Sequence, residues 1–215
     1  HRKKSVISDV TDSINGVDVI LNQHNDFFKG LKLGESMMYD VACEVMAAYN
    51  AVSLANSEKY NYYRIALEFD LNAIWNFPEI VAEIGVYFSP DAKILGQKAG
   101  AGSNFLKIGD YLEAYNVDYA RSYTPLIEYD AYDNSMSLYL IESFLNNAKD
   151  DNPAVVVTYF NPNSFYIHTI TFTINEDGKI YSINKDLSVN KPVETGELIN
   201  YMDSDYMYLC IYYCV

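Results

Sequence analysis

The sequence has few cysteines, few glycines and prolines, and no long apolar run. Its three cysteines, Cys43, Cys210 and Cys214, form no paired metal-type spacing, and their odd number argues against a disulfide framework and leaves at least one thiol free. No segment reaches the roughly 18 consecutive apolar residues that a transmembrane helix requires. The 10 glycines and 6 prolines are too sparse to mark a linker, so we expect a single domain over residues 1–215.

Positive charge is also scarce. The 15 Lys and Arg against 29 Asp and Glu give a net charge of −14. Because proteins bind phosphates through Lys and Arg that release counterions, this balance argues against nucleic acid as a partner. No calcium loop, zinc spacing, dinucleotide fingerprint or phosphate-binding loop occurs in the sequence, so we expect no cofactor and no metal. Free thiols favour the cytoplasm, although a removed leader would instead indicate secretion.

The chain does have two patterns in succession. From about residue 13 to 147 the pattern is mostly helical, and from about 154 to 215 it consists of short runs of β-branched and aromatic residues. Helices followed by strands are typical of an α+β fold with an antiparallel sheet. The predicted helices cover residues 41–54, 72–87, 105–115 and 137–147, and the predicted strands cover 154–160, 166–174, 179–184 and 206–214.

The segment Asn175-Glu-Asp-Gly178 lies between two alternating runs and predicts a hairpin, because glycine readily takes a left-handed conformation. With a three-residue loop, the predicted pairs are Asn175 with Lys179, Ile174 with Ile180, Phe172 with Ser182, Ile170 with Asn184 and His168 with Asp186. This register places the side chains of His168, Asn184 and Asp186 on one face of the hairpin.

Cys43 is a candidate nucleophile. Asp40 precedes the apolar helix as an N-capping residue would, which places Cys43 in the first turn. The unpaired amides and aligned dipoles there would stabilise a thiolate. A cysteine in such an apolar segment is nevertheless also typical of a small, unreactive core residue. Likewise, His168 on an apolar strand face is also typical of a hydrogen-bonded core histidine.

The combination of residues favours chemistry more than each residue does by itself. Nucleophilic cysteine chemistry needs a base that accepts the thiol proton and a group that orients the imidazole. Cys43, then His168, then Asn184 or Asp186 could fill these three roles in that chain order. The sequence therefore predicts a thiol nucleophile with a histidine base.

The sequence around Cys43 resembles a known family. The run Met38-Tyr-Asp-Val-Ala-Cys43-Glu-Val-Met-Ala-Ala-Tyr49-Asn50-Ala51 is similar to the Cys-Glu-x-x-Ala-x-Tyr-Asn-Ala helix of bacterial papain-like proteins related to the C39 bacteriocin-processing peptidases and the butirosin-biosynthesis acyltransferase. The likeness extends over about residues 34–186 and includes the glycine-rich loop at 100–102, the strand at 154–157, the run His168-Thr169-Ile170 and the Asn-bearing strand at 180–184. It implies a papain-like α+β fold, in which the nucleophile helix of a helical N-terminal part packs on a C-terminal antiparallel sheet.

The resemblance also implies roles. It makes Cys43 the nucleophile, His168 the general base and acid, and Asn184 the orienting residue, with Asp186 as second choice. The implied function is a thiol hydrolase, that is a peptidase or amidase. The alternatives are an acyltransferase with an acyl-cysteine intermediate and a catalytically inactive papain-fold binding module. The expected substrate is accordingly a peptide, an amide or an acyl thioester.

Two positions depart from the family pattern. Met37 replaces the oxyanion-hole glutamine that family members often carry six residues before the cysteine, which leaves Gln23, Asn25 or Ser36 as substitutes. Cys43-Glu44-Val45 replaces the Cys-Gly-Pro sequence common in the peptidase branch. Loss of an oxyanion donor lowers the rate about 10²–10³-fold. The missing glutamine therefore favours the inactive module, whereas the retained Cys, His and Asn favour an enzyme.

Overall fold

A computed structural model of the protein describes residues 11–30, 32–33, 36–57, 105–123, 134–202 and 205–215. The strands are β1 Thr11–Ile14, β2 Val17–Ile20, β3 Lys32–Leu33, β4 Ser36–Met37, β5 Tyr119–Tyr123, β6 Ala154–Asn161, β7 Tyr166–Ile174, β8 Ile180–Ile183, β9 Val193–Glu194 and β10 Met207–Cys214. The α-helices are α1 Met38–Val41, α2 Cys43–Ala55, α3 Ile108–Ala114, α4 Asn134–Asn147 and α5 Leu198–Tyr201, with 3-10 turns at Asp26–Gly30, Phe105–Lys107 and Lys149–Asp151. None of the helices in these ranges is long and apolar enough to cross a membrane.

The fold is a mixture of helices and antiparallel sheet, which confirms the predicted α+β class. A six-stranded sheet has the order β5-β10-β6-β7-β8-β9, and every neighbouring pair is antiparallel. The helices predicted at 41–54, 105–115 and 137–147 and the four predicted strands are all present within one to three residues of their expected ends. The helix predicted at 72–87 and the glycine-rich loop at 100–103 lie outside the described residues.

The N-terminal part is less helical than predicted, because β1 and β2 form a hairpin and Tyr119–Tyr123 forms the edge strand β5. The turn of the β1–β2 hairpin is Asn15-Gly16, with φ of 52° and 75°. An Asn-Gly pair between apolar runs is a strong hairpin signal, since both residues tolerate positive φ. The expectation of a mostly helical segment from residue 13 is therefore wrong at its start.

The sheet separates two hydrophobic clusters. Alternate residues of β6 face opposite sides, so that Val156 joins the cluster formed with α2, whereas Val155 joins the cluster formed with α4. Helix α2 is buried over almost its whole length, from Cys43 to Leu54. A helix that is buried on all sides is typical of a protein core. Asn50 of α2 binds both the backbone N–H and the C=O of Ile20 at 2.7 and 3.0 Å, which attaches the β1–β2 hairpin to the helix.

The hairpin between β7 and β8 confirms the predicted loop and the first part of the register. The pairs run from Ile174 with Ile180 to Thr171 with Ile183, and Gly178 has a φ of 80°. The pairing then stops, because Asn184 turns away with a φ of 67°. The predicted pairs of Ile170 with Asn184 and of His168 with Asp186 do not form. A left-handed asparagine followed by an Asx turn ends the strand one residue earlier than its sequence pattern suggests.

Candidate functional site

Cys43 is the first residue of α2, which confirms its predicted place in the first turn. The capping prediction is wrong. Asp40 belongs to the short preceding helix α1, and the N-cap residue of α2 is Ala42, which makes no side-chain capping bond. The start of α2 therefore has no capping carboxylate, and it lies in the interior of the protein.

The Cys43 thiol is almost completely buried, with 5% of the residue exposed. It donates a hydrogen bond to Glu44 Oε2 at 3.2 Å, and the backbone of Thr169 provides a further hydrogen bond to the sulfur. Burial raises the pKa of Cys43 well above its ordinary value, the neighbouring Glu44 raises it further, and the Thr169 bond offsets this only in part. The prediction of a stabilised thiolate is thus wrong for this state, because desolvation outweighs the helix start.

His168 is also buried, with 1% exposed, and its two ring nitrogens have separate partners. Nε2 forms a hydrogen bond to the backbone carbonyl oxygen of Asn184, while Nδ1 lies 3.3 Å from the Tyr166 hydroxyl. A carbonyl only accepts, so Nε2 carries the proton and Nδ1 has the lone pair that the hydroxyl can donate to. Burial lowers the pKa of His168 to about 4. The imidazole is therefore neutral at pH 7, with Nδ1 as its basic atom.

Asn184 orients His168 through its main chain and not through its side chain. The side-chain amide binds Gln23 instead, since Oδ1 accepts from the Gln23 N–H at 2.9 Å and Nδ2 donates to Gln23 Oε1 at 3.2 Å. Asp186, the alternative orienting residue, accepts hydrogen bonds from the backbone N–H and the hydroxyl of Ser188 at 2.9 and 2.6 Å in an exposed turn. Of the two, only Asn184 contacts the imidazole.

Cys43 contacts β7 at Thr169, the residue that follows His168 in the strand. Strand β8 ends at Ile183, opposite Thr171, so Thr169 has no strand partner on that side and is available to Cys43. No hydrogen bond joins the Cys43 sulfur to the imidazole in this structure. His168 instead follows the alternation of β7 onto the face of Ile170, where its ring meets Tyr159 edge to face at 5.9 Å. The structure thus brings Cys43 and His168 to the same end of β7 without a hydrogen bond between them.

The substitutes proposed for the missing oxyanion donor have different positions. Gln23 is 1% exposed, and its Nε2 lies 3.4 Å from the carbonyl oxygen of Tyr39. Asn25 lies in the turn that leads into the 3-10 segment Asp26–Gly30, and Ser36 lies in β4. Met37, six residues before Cys43, is 48% exposed. Gln23 is joined to the site through Asn184.

Several residues of this site escaped the sequence analysis. Tyr166, Glu44 and the pairing role of Gln23 have no motif that identifies them, although the spacing of Tyr166 and His168 on one strand face was a usable signal. A cavity of about 730 Å³ lies elsewhere, at the β1–β2 and β7–β8 turns, and its polar walls include neither Cys43 nor His168. Among the described residues, no group of three His, Cys, Asp or Glu could hold a metal ion.

Comparisons with known protein families and with curated proteins both gave no match. The contacts around Cys43 and His168 are therefore the observations that bear on function. These contacts comprise a buried thiol at a helix start, an imidazole with a fixed tautomer, and a main-chain carbonyl that fixes it.

Proposed function

We propose that the protein is a papain-like thiol hydrolase that acts on peptide or amide substrates, with Cys43 as nucleophile and His168 as general base and acid. The observation that carries the proposal is the bond from His168 Nε2 to the Asn184 carbonyl, because it leaves Nδ1 as the basic nitrogen. The position of Cys43 beside Thr169, the residue after His168, supports it further.

The proposed reaction starts from a neutral pair. The Cys43 thiol and the His168 imidazole are both uncharged at pH 7, since burial raises the pKa of the thiol and lowers the pKa of the imidazole. As the sulfur attacks the substrate carbonyl carbon, its proton passes to Nδ1 of His168. The imidazolium then donates that proton to the leaving amine, and an acyl-cysteine remains. Water then attacks the acyl-cysteine while Nδ1 of His168 accepts a proton from it. The acid product leaves, and the proton returns from Nδ1 to the sulfur, which restores the thiol.

Asn184 acts as a positioning residue in this scheme. Its main-chain oxygen holds the protonated Nε2 in every step, and it stabilises the imidazolium that forms during the attack. The Gln23 pairing in turn keeps Asn184 in its left-handed conformation. An acyltransferase is the second candidate function, since the first half-reaction is the same and an amine replaces water as acceptor. The chemistry of the site does not distinguish these two acceptors.

The third candidate is an inactive papain-fold binding module. The burial of Cys43 and its bond to Glu44 favour this alternative, because a carboxylate beside the sulfur disfavours the thiolate. Cys43, His168 and Asn184 are retained in the order that the enzyme needs, and the Asn184 carbonyl fixes the His168 tautomer, which favours an enzyme.

Thiol labelling tests the proposal. Cys210 and Cys214 are buried in β10 at 1% and 0% exposed and provide internal controls. Under iodoacetamide at pH 7, we expect Cys43 to be alkylated at least about tenfold faster than either, because His168 accepts the thiol proton when the site opens to the reagent, and we expect the difference to disappear in His168→Ala. Labelling of the three thiols at one slow rate in the wild-type protein would instead support the binding module.

A further inference from the structure

We infer that Tyr166 is the gate of this site. In the closed state its hydroxyl is hydrogen-bonded to Nδ1, the basic nitrogen of His168. Displacement of the tyrosine opens the imidazole to Cys43 and to substrate. The effect of the gate on catalysis rests on the proposed function, whereas the contact between Tyr166 and His168 is independent of any activity. Tyr166 is a positioning residue here and not a catalytic one.

The contacts of Tyr166 place it over the base. Its ring stacks on the His168 ring with centroids 5.4 Å apart and planes inclined by 27°, and its oxygen lies 3.3 Å from Nδ1. Nδ1 is the nitrogen with the lone pair, so the hydroxyl occupies the position that the thiol proton must reach. Tyr166 is 39% exposed, whereas His168 beneath it is 1% exposed. The tyrosine is thus the layer between the imidazole and solvent.

Cys43 and Glu44 lie near enough to Tyr166 to affect its pKa. The pKa of Tyr166 is raised, first by burial and then by the nearby groups of Cys43 and Glu44, which shows that its hydroxyl lies within their electrostatic range. In this state the Cys43 thiol is bound to Glu44 and not to His168. Nδ1 of His168 is bound to the Tyr166 hydroxyl and not to the thiol.

Tyr166 lies at a strand end, beside a strained and exposed turn. Tyr166 is the first residue of β7, and its strand partner, Asn161, is the last residue of β6. The preceding residue, Phe165, has a φ of 52° and is 86% exposed. A left-handed conformation is strained for an aromatic residue. A strained and exposed turn at a strand end opens at low free energy, which allows the Tyr166 side chain to swing outward without disruption of the sheet.

Diethyl pyrocarbonate labelling tests the gate without reference to catalysis. The reagent modifies an unprotonated, accessible imidazole nitrogen, and peptide mass spectrometry measures the rates at His168 and at His24 separately. We expect Tyr166→Ala to raise the rate at His168 by at least about tenfold and to leave His24 unchanged. Tyr166→Phe keeps the ring and removes the hydroxyl, so it should give an intermediate rate.

Tyr139→Ala is the matched control, since Tyr139 is 65% exposed on α4 and has no contact with His168. Equal His168 rates in the wild-type protein and all three variants would overturn the gate. Thermal unfolding of Tyr166→Phe checks that the fold is kept. The gate would be upheld and the proposed enzymatic function contradicted if the modification rate at His168 rises in Tyr166→Ala but p-nitrophenyl acetate leaves no acetyl group on Cys43 in any variant.

Discussion

Gln23 and Asn184 bind each other through two hydrogen bonds, although 161 residues separate them in the chain. The Gln23 main chain donates to the Asn184 side chain, and the Asn184 side chain donates to the Gln23 side chain. Both residues are buried. Since the main-chain oxygen of Asn184 holds His168, this pair connects the N-terminal part of the chain to the imidazole.

The Gln23 side chain can be tested by its removal. Gln23→Met keeps the volume but leaves Asn184 Nδ2 buried without an acceptor, so we expect a loss of about 1–3 kcal/mol in the free energy of unfolding, measured with urea. Asn200→Ala is the control. Its exposed side chain in α5 donates to Glu197, and the expected change is within about 0.5 kcal/mol. Equal losses in the two variants would show that the Gln23 bond contributes nothing.

Substitutions of Asn184 distinguish a main-chain from a side-chain role. Asn184 has a φ of 67°, which glycine adopts freely and alanine adopts at a cost of about 1–2 kcal/mol. We therefore expect Asn184→Gly to be more stable than Asn184→Ala. Asn163 is exposed and its φ is not positive, so it is the control. There the glycine variant should be no more stable than the alanine variant.

The same variant tests the bond to the imidazole. Asn184→Gly retains the carbonyl oxygen that binds His168 Nε2, so the imidazole ¹⁵N NMR shifts should still show Nε2 protonated and Nδ1 unprotonated at pH 7. Loss of this tautomer in Asn184→Gly would show that the Asn184 side chain, and not its main chain, fixes the ring.

The stability of the protein should depend on pH through His168. Its pKa is about 4 in the folded state and near 6.5 when unfolded, so between these values the unfolded chain binds a proton that the folded protein does not. We expect this histidine to cost no stability above pH 6.5 and about 3 kcal/mol as the pH falls to 4. Urea unfolding at several pH values measures the loss.

His168→Gln should remove most of this pH dependence, because glutamine can donate to the Asn184 carbonyl and does not titrate. His24→Gln is the control. His24 is partly exposed and stacks on Tyr39, and its replacement should leave most of the loss in place. An unchanged pH dependence in His168→Gln would assign the effect to the carboxylates.

The parts of the fold that were predictable have strong local signals. The apolar run around Met46, the strand ending at Ile174 and the loop containing Gly178 follow from periodicity and turn chemistry. The β1–β2 hairpin was predictable too, since Asn15-Gly16 is a turn signal, but the helical reading of the surrounding segment overrode it.

The details of the site depend on contacts that the sequence does not encode locally. Nothing in the sequence near Gln23 indicates that Asn184 is its partner. The positive φ of Asn184 is likewise the conformation of a single residue, and no sequence pattern predicts it. The thiolate expected from the place of Cys43 at the helix start is wrong, because the residue is buried as in the alternative of a core cysteine. Desolvation is a property of the packed protein, and it decides the pKa here.

The central claim is that Cys43 attacks acyl groups with His168 as its base, and acetylation by p-nitrophenyl acetate tests it most directly. Peptide mass spectrometry after brief reaction at pH 7 should find the acetyl group on Cys43, and Cys43→Ser and His168→Ala should abolish the adduct and the associated burst of nitrophenolate. An adduct that persists in His168→Ala, or one distributed equally over Cys43, Cys210 and Cys214, would contradict the account.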